Sequence, residues 1–129
     1  MIEPTLYIIM RSDIPHMNPG KAIAQGSHAT CDFEDCIKFE SGKIFDDYLL
    51  WRENRTFGRT IVLEADLDTM LKIVSKFYFS SIVTDPEYPY TNFYGEKFTR
   101  KETTCAWVFV NNQYDSDIIE EIKKMNLHR

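Results

Sequence analysis

The stretch "NPGKAIAQGSHAT", residues 18–30, reads as the opening of a helix that carries a lysine in an unusual place. Asn18 is a good N-cap, Pro19 suits the first helical position, and the alanines that follow favour helix. Lys21 therefore stands in the first turn, at the positive end of the helix macrodipole, where a cation costs roughly 0.3–1 kcal/mol. Helices usually place Asp or Glu there. A helix N-terminus that adds an ammonium to its free N–H groups suits an anion or an oxyanion, and Lys21 is the candidate for that task.

Working outward, "TLYIIM" (5–10) is a β-branched and aromatic run that ends in the turn-rich "RSDIPHMNPG", so a strand precedes the helix. The helix itself runs from Pro19 to about Phe39. At about 100° per residue, Lys21, Gln25, His28 and Asp32 share a stripe roughly 60° wide. Ala22, Ile23, Gly26, Ala29, Thr30, Phe33, Cys36 and Ile37 fill the opposite arc. The pattern predicts a helix that packs by this second arc and presents a cation, an amide and an imidazole on the first. An ordinary solvated polar face is the other reading.

Beyond it, "IFDDYLLWREN" (44–54) reads as a second helix, "RTIVLEA" (59–65) as a strand, and "DLDTMLKIVSKFYF" as an Asp-capped helix. "SSIVT" (80–84) and "TTCAWVFV" (103–110) read as strands, and Asp115 or Ser116 caps a last helix. Strands alternating with helices predict one α/β domain over residues 1–129, with a sheet at least partly parallel. Residues 85–102, "DPEYPYTNFYGEKFTRKE", lack clear periodicity and read as a loop, longer than the usual ceiling of about 12–15 residues. Tyr88, Tyr90, Phe93, Tyr94 and Phe98 are interleaved there with Lys97, Arg100 and Lys101, a composition that stacks bases and holds phosphates. Alternatively the loop folds its aromatics onto the domain.

The 129 residues suffice for a real core, and 43% of them are hydrophobic. No apolar run approaches the roughly 18–20 residues of a membrane span, and the N-terminus has no basic n-region of a signal peptide. Cys31, Cys36 and Cys105 are odd in number and form no CxxC, which reads as reduced thiols in a cytoplasmic protein. His16, His28 and His128 have no zinc-site spacing. A net charge of −5 argues against gross electrostatic binding of nucleic acid, so an RNA partner needs a local basic patch.

Two catalytic readings fail on geometry. Ser27 and His28 are adjacent, so on a helix they point about 100° apart and form no hydrogen-bonded dyad. "HAT" (28–30) matches half of the paired HxT signature of two-histidine phosphodiesterases, but that motif needs strand alternation and a second copy.

What remains resembles the type 2 (archaeal and eukaryotic-type) peptidyl-tRNA hydrolases. The likeness lies in an apolar strand, then Arg11 and Asp13 in "RSDIPHM", Gly20-Lys21, Ala24-Gln25 and Ser27-His28-Ala29. Downstream, "GRTIVLEA" is similar to the family's second strand, "IVTD" to the strand delivering its aspartate, here Asp85, and "TTCAWVFV" to its final strand. The resemblance implies a mixed four-stranded sheet flanked by helices, and hydrolysis of the ester joining a peptide to tRNA, with no metal or other cofactor. It implies a centre of Lys21, Asp85 and Thr104 (or Thr103), with Arg11, Gln25 and His28 on the substrate. After Asp85, this chain has Pro86-Glu87-Tyr88-Pro89 where the family has a short Ala-Gly-x-Thr turn, leaving Thr91 as the substitute threonine. Lys97, Arg100 and Lys101 are the candidate tRNA contacts, and a homodimer is left open. The alternative function is a non-hydrolytic module on the same fold that binds a nucleotide or an RNA end. A protein-interaction domain built on the aromatic loop is a third reading.

Overall fold

In the computed structural model, which describes residues 2–15 and 17–128, all seven residues of strand β1 (Thr5–Arg11) are buried. A strand hides both faces when it lies inside a sheet covered on both sides. The strand order β2-β1-β4-β3 supplies that position. Strand β2 (Thr60–Ala65) runs parallel to β1, while β4 (Lys97–Val110) is antiparallel to both β1 and β3 (Ser80–Thr91).

Side chains alternate between the faces of each strand. Leu6, Ile8 and Met10 thus join Trp107 and Phe109 in a core with α1 (Pro19–Ile37) and α2 (Lys43–Asn54), which supply Phe33 and Trp51. Tyr7, Ile9 and Val108 face the other way, where α3 (Leu67–Val74) and α4 (Ser116–Lys123) bring Met70, Ile73 and Ile122. The result is one small α/β domain with a mixed four-stranded sheet and, among the described residues, four helices. None of these helices is long and apolar enough to cross a membrane.

Two of the helix N-caps, Asn18 and Asp66, close by a side-chain hydrogen bond, while Asp115 makes none. Asn18 Oδ1 accepts the Lys21 N–H at 2.9 Å, Asp66 Oδ1 accepts the Thr69 N–H at 2.8 Å, and Asp115 is the N-cap of α4. The outer edge of β2 is closed by the end of the chain: Glu64 N–H donates to Asn126 O at 2.9 Å and His128 N–H to Val62 O at 3.0 Å. Such cover prevents edge-to-edge pairing. Gly58, at φ +79°, lies flat against the Trp51 indole, and a Cβ there would sit 2.0 Å from the ring. Only glycine fits that approach.

Two expectations are corrected. Residues 85–102 are not a loop: β3 and β4 continue as a hairpin, closed by a turn over residues 92–96. Asn92 Oδ1 accepts the N–H groups of Tyr94 and Glu96, both at 2.9 Å, and Gly95 takes φ +81°. Pro86 and Pro89, which masked the strand pattern, are tolerated because β3 is an edge strand with no neighbour on its outer side.

The second correction concerns α1. Its buried residues are Ala22, Gln25, Ala29, Phe33 and Ile37, whereas Ile23 is 72% exposed. The packed face is therefore rotated toward Gln25. Strand β4 explains the rotation, since its buried Thr104 hydroxyl and Trp107 indole N–H need acceptors. Thr104 Oγ1 donates to Gln25 Oε1 at 2.6 Å, and Trp107 Nε1 donates to Asp32 Oδ2 at 2.7 Å. Leaving both donors unpaired would cost about 2–6 kcal/mol, against about 1.5–3 kcal/mol for one buried isoleucine.

Candidate functional site

Thr104 reaches the helix through a β-bulge. Val83 pairs with Cys105 and Thr84 with Thr103, so Thr104 is the extra residue on β4. A bulge shifts the alternation by one and re-aims a side chain. Here it brings Thr104 and Cys105 to α1 together: Cys105 Sγ donates to Gln25 O at 3.5 Å, beside the Thr104 contact with the Gln25 amide oxygen. Thr103 is left on the sheet with its hydroxyl 3.2 Å from that of Thr84. Of the two candidate threonines, Thr104 joins the helix motif.

Gln25 passes the connection on. Its Nε2 donates to Asp85 Oδ2 at 2.7 Å, and the other carboxylate oxygen accepts the Glu87 N–H at 2.8 Å. A second irregularity, between Asp85 and Tyr88, turns β3 at this point. Because Thr104 donates and Asp85 accepts, the amide of Gln25 has one orientation only. Thr104 and Gln25 are buried while Asp85 is half-buried, so the relay presents the carboxylate outward and keeps the hydroxyl and amide behind it. Burial pushes the Cys105 thiol up to about 12, so it does not act as a nucleophile at neutral pH.

Lys21 lies one turn before Gln25 on the same face of α1. Its Nζ is 3.4 Å from Pro89 O and 5.3 Å from the centre of the Tyr88 ring, and it forms no ion pair among the described residues. The ammonium is held by a carbonyl dipole and a ring face, not neutralised. Of the first amides of α1, Pro19 has no N–H, while those of Lys21 and Ala22 go to Asn18. Gly20 alone keeps a backbone donor beside Lys21. The helix end is therefore a weaker anion site than its sequence predicts, and the lysine carries most of it.

The other expected site residues fall elsewhere. Arg11 is 9% exposed and held on two of its nitrogens: Nε donates to Asp13 at 2.9 Å, and Nη1 to Glu102 at 2.8 Å and to Thr103 O at 2.9 Å. Its guanidinium holds the Asp13 carboxyl below the usual carboxylate range. The hydroxyl of Tyr90, at 2.5 Å, and the arginines beside it do the same for Glu102. Arg100 lies 4.5 Å over the Tyr90 ring and also pairs with Glu102 at 3.3 Å. His28 is exposed on α1, and Thr91 pairs with Lys97 near the hairpin turn. Lys97 and Lys101 are exposed along the hairpin. Gln25, Asp85 and Thr104 form one hydrogen-bonded chain, with Lys21 one helical turn from Gln25 and its ammonium on Pro89 O and Tyr88; Thr91, Lys97 and Lys101 do not join them.

A cleft of about 770 Å³ lies on the other flank of α1, lined by Ile8, Met10, Ile23, Val62 and His128 among others. It exists because α1 lies chiefly over β4 and β3 and leaves β1 and β2 partly uncovered. None of the expected site residues lines it, and with Ile23 read onto the packed arc the sequence shows no sign of it. No group of three or more His, Cys, Asp or Glu side chains suited to a metal ion occurs among the described residues. No protein-family model and no curated protein matches the chain.

Proposed function

We propose that this protein is a cytoplasmic, type 2-like peptidyl-tRNA hydrolase that cleaves the ester between a peptide and tRNA without a metal. The observation that carries the reading is the relay Thr104–Gln25–Asp85, whose middle member Gln25 lies one helical turn from Lys21. An ester hydrolase needs a carboxylate to take a proton from water and a cation to meet the charge on the carbonyl oxygen. Asp85 and Lys21 supply the two. In the proposed reaction, water adds its oxygen to the ester carbon as its proton passes to Asp85. The carbonyl oxygen becomes an oxyanion facing Lys21. On collapse the C–O bond to the ribose breaks, the ribose oxygen takes the proton from Asp85, and peptide acid and free tRNA leave.

Gln25 and Thr104 are positioning residues, because both are buried and act through Asp85. Thr104→Ser keeps the hydroxyl and is expected to retain turnover. Thr104→Val removes it, frees the Gln25 amide to rotate, and is expected to lower kcat about tenfold with little change in KM. Equal effects from the two variants would assign Thr104 to packing.

The defining experiment is release of N-acetyl-aminoacyl groups from tRNA by the purified protein, with and without a chelator. Release that survives the chelator supports the reading. Loss of release with the chelator overturns the metal-free mechanism, and no release at micromolar enzyme overturns the hydrolase. Binding of uncharged tRNA without turnover would instead support a non-hydrolytic module that holds an RNA end.

A further inference from the structure

We infer that the cleft between α1 and strands β1 and β2 binds a small apolar molecule carrying one hydroxyl, which donates to His128 Nε2. The volume of about 770 Å³ lies within the roughly 300–1,000 Å³ of small-molecule sites. Ile8, Met10 and Val62 supply the floor from the sheet, and α1 supplies a wall. The hydroxyls on that wall spend their protons on the helix itself. Ser27 Oγ donates to Ile23 O and Thr30 Oγ1 to Gly26 O, each at 3.1 Å.

Gly26 keeps the wall low. A Cβ built there would meet no atom within 4 Å, so nothing in the packing requires a glycine at this point. Glycine in a helix interior is disfavoured against alanine, and what it supplies here is open space. Ile23 is 72% exposed at the rim, an apolar surface that an occupant shields from water.

His128 supplies the polar contact. Its backbone N–H donates to Val62 O at 3.0 Å, which holds the residue against β2. Nδ1 is buried without a hydrogen bond among the described residues, and lies 3.7 Å from Glu64 Oε2. In the neutral imidazole that carboxylate draws the proton to the nearer nitrogen, so Nε2 is an acceptor. Nε2 is not buried and has no partner among the described residues. The ligand must therefore donate. A carboxylate is opposed by Glu64 behind the ring, and an ammonium would shed its water against Ile8, Met10 and Val62. A hydroxyl on an apolar body meets both demands. The cleft lies on the flank of α1 away from Lys21 and Asp85, so this inference goes beyond the proposed hydrolysis and does not depend on it.

The test uses naphthol, methylnaphthalene and naphthoate, alike in their rings and different in the substituent, with the whole protein. Binding is read by protein NMR and by alkylation of Cys31, an exposed thiol of the lining, with Cys36 off the lining as internal control. Naphthol at saturation is expected to slow alkylation of Cys31 about fivefold or more and to leave Cys36 unchanged. Naphthoate is expected to bind about tenfold more weakly or less. G26L fills the open space and is expected to abolish binding while the melting temperature holds or rises. H128F keeps the backbone bond to Val62 and reads the site independently of G26L. It is expected to reduce the preference for naphthol over methylnaphthalene about fivefold, the worth of one hydrogen bond. Unprotected Cys31, binding unchanged in G26L, naphthoate equal to naphthol, or an unchanged preference in H128F would overturn the site.

Discussion

Lys21→Ala is expected to lower turnover of peptidyl-tRNA by about 100-fold or more, the usual loss when one donor to an oxyanion is removed. The same change is expected to leave the melting temperature nearly constant. Two small terms oppose one another at this position. The ammonium lies against the helix dipole, which costs roughly 0.3–1 kcal/mol, and over the Tyr88 ring, which returns roughly 0.5–1 kcal/mol at an exposed site. Alanine removes both and favours helix slightly. A first-turn lysine kept with no net gain in stability is what a functional charge looks like. Stopped assays of hydrolysis beside thermal melts separate the outcomes: a variant that unfolds makes Lys21 structural, and one with full turnover removes it from the chemistry. Lys21→Arg keeps the charge but spreads it over a planar fork, and is expected to recover part of the activity.

How much of this was legible in the sequence depends on how local each signal is. The N-caps Asn18 and Asp66 and the β-branched runs of β1 and β2 are short-range patterns that stand where the residues put them, whereas α3 ends at Val74, short of Phe79, and β4 begins at Lys97, ahead of Thr103. The hairpin was hidden because its prolines and charges suit an edge strand, and edge position is a property of the sheet, not of residues 85–102. The choice between Thr103 and Thr104 was equally closed to sequence reading. A bulge changes parity by one, and parity is the only information a strand pattern carries. Gln25 was placed on the right helix and the wrong side of its surface. Nothing within α1 tells that Thr104 and Trp107 on a strand about eighty residues away need acceptors from it. Arg11 is the clearest case of a residue whose type points one way and whose surroundings point another, since a lone arginine at the end of a strand reads as a substrate contact until Asp13, Glu102 and Thr103 are placed around it.

That contrast defines a measurement. Arg11→Met keeps the apolar stem and removes the charge, leaving the exposed Asp13 carboxylate unpaired and Glu102 with Tyr90 and Arg100 alone. Breaking a fully buried pair by removing one partner costs about 3–5 kcal/mol, and the exposure of Asp13 and the remaining partners of Glu102 bring this variant to about 2 kcal/mol, or roughly 6–10 °C in melting temperature. The pH dependence identifies the cause. Asp13 and Glu102 titrate below their ordinary values in the folded protein, so the unfolded chain binds their protons first as pH falls. Their contribution is complete above the ordinary carboxylate range near pH 4 and is lost as the pH drops through the lowered folded values. Without Arg11 the Asp13 carboxyl returns toward its ordinary value while Glu102 keeps Tyr90 and Arg100, and the acid-side loss shrinks by the Asp13 share. The gap between wild type and Arg11→Met is therefore expected to be widest near neutral pH and to narrow in acid, as urea unfolding at several pH values will show. Because Glu102 also accepts from Tyr90, the base of the β3–β4 hairpin loosens in the same variant. A variant of full stability with weakened hydrolysis of peptidyl-tRNA would return Arg11 to the substrate surface, and a stability gap independent of pH would mean that packing, not the paired charges, ties the hairpin to the sheet.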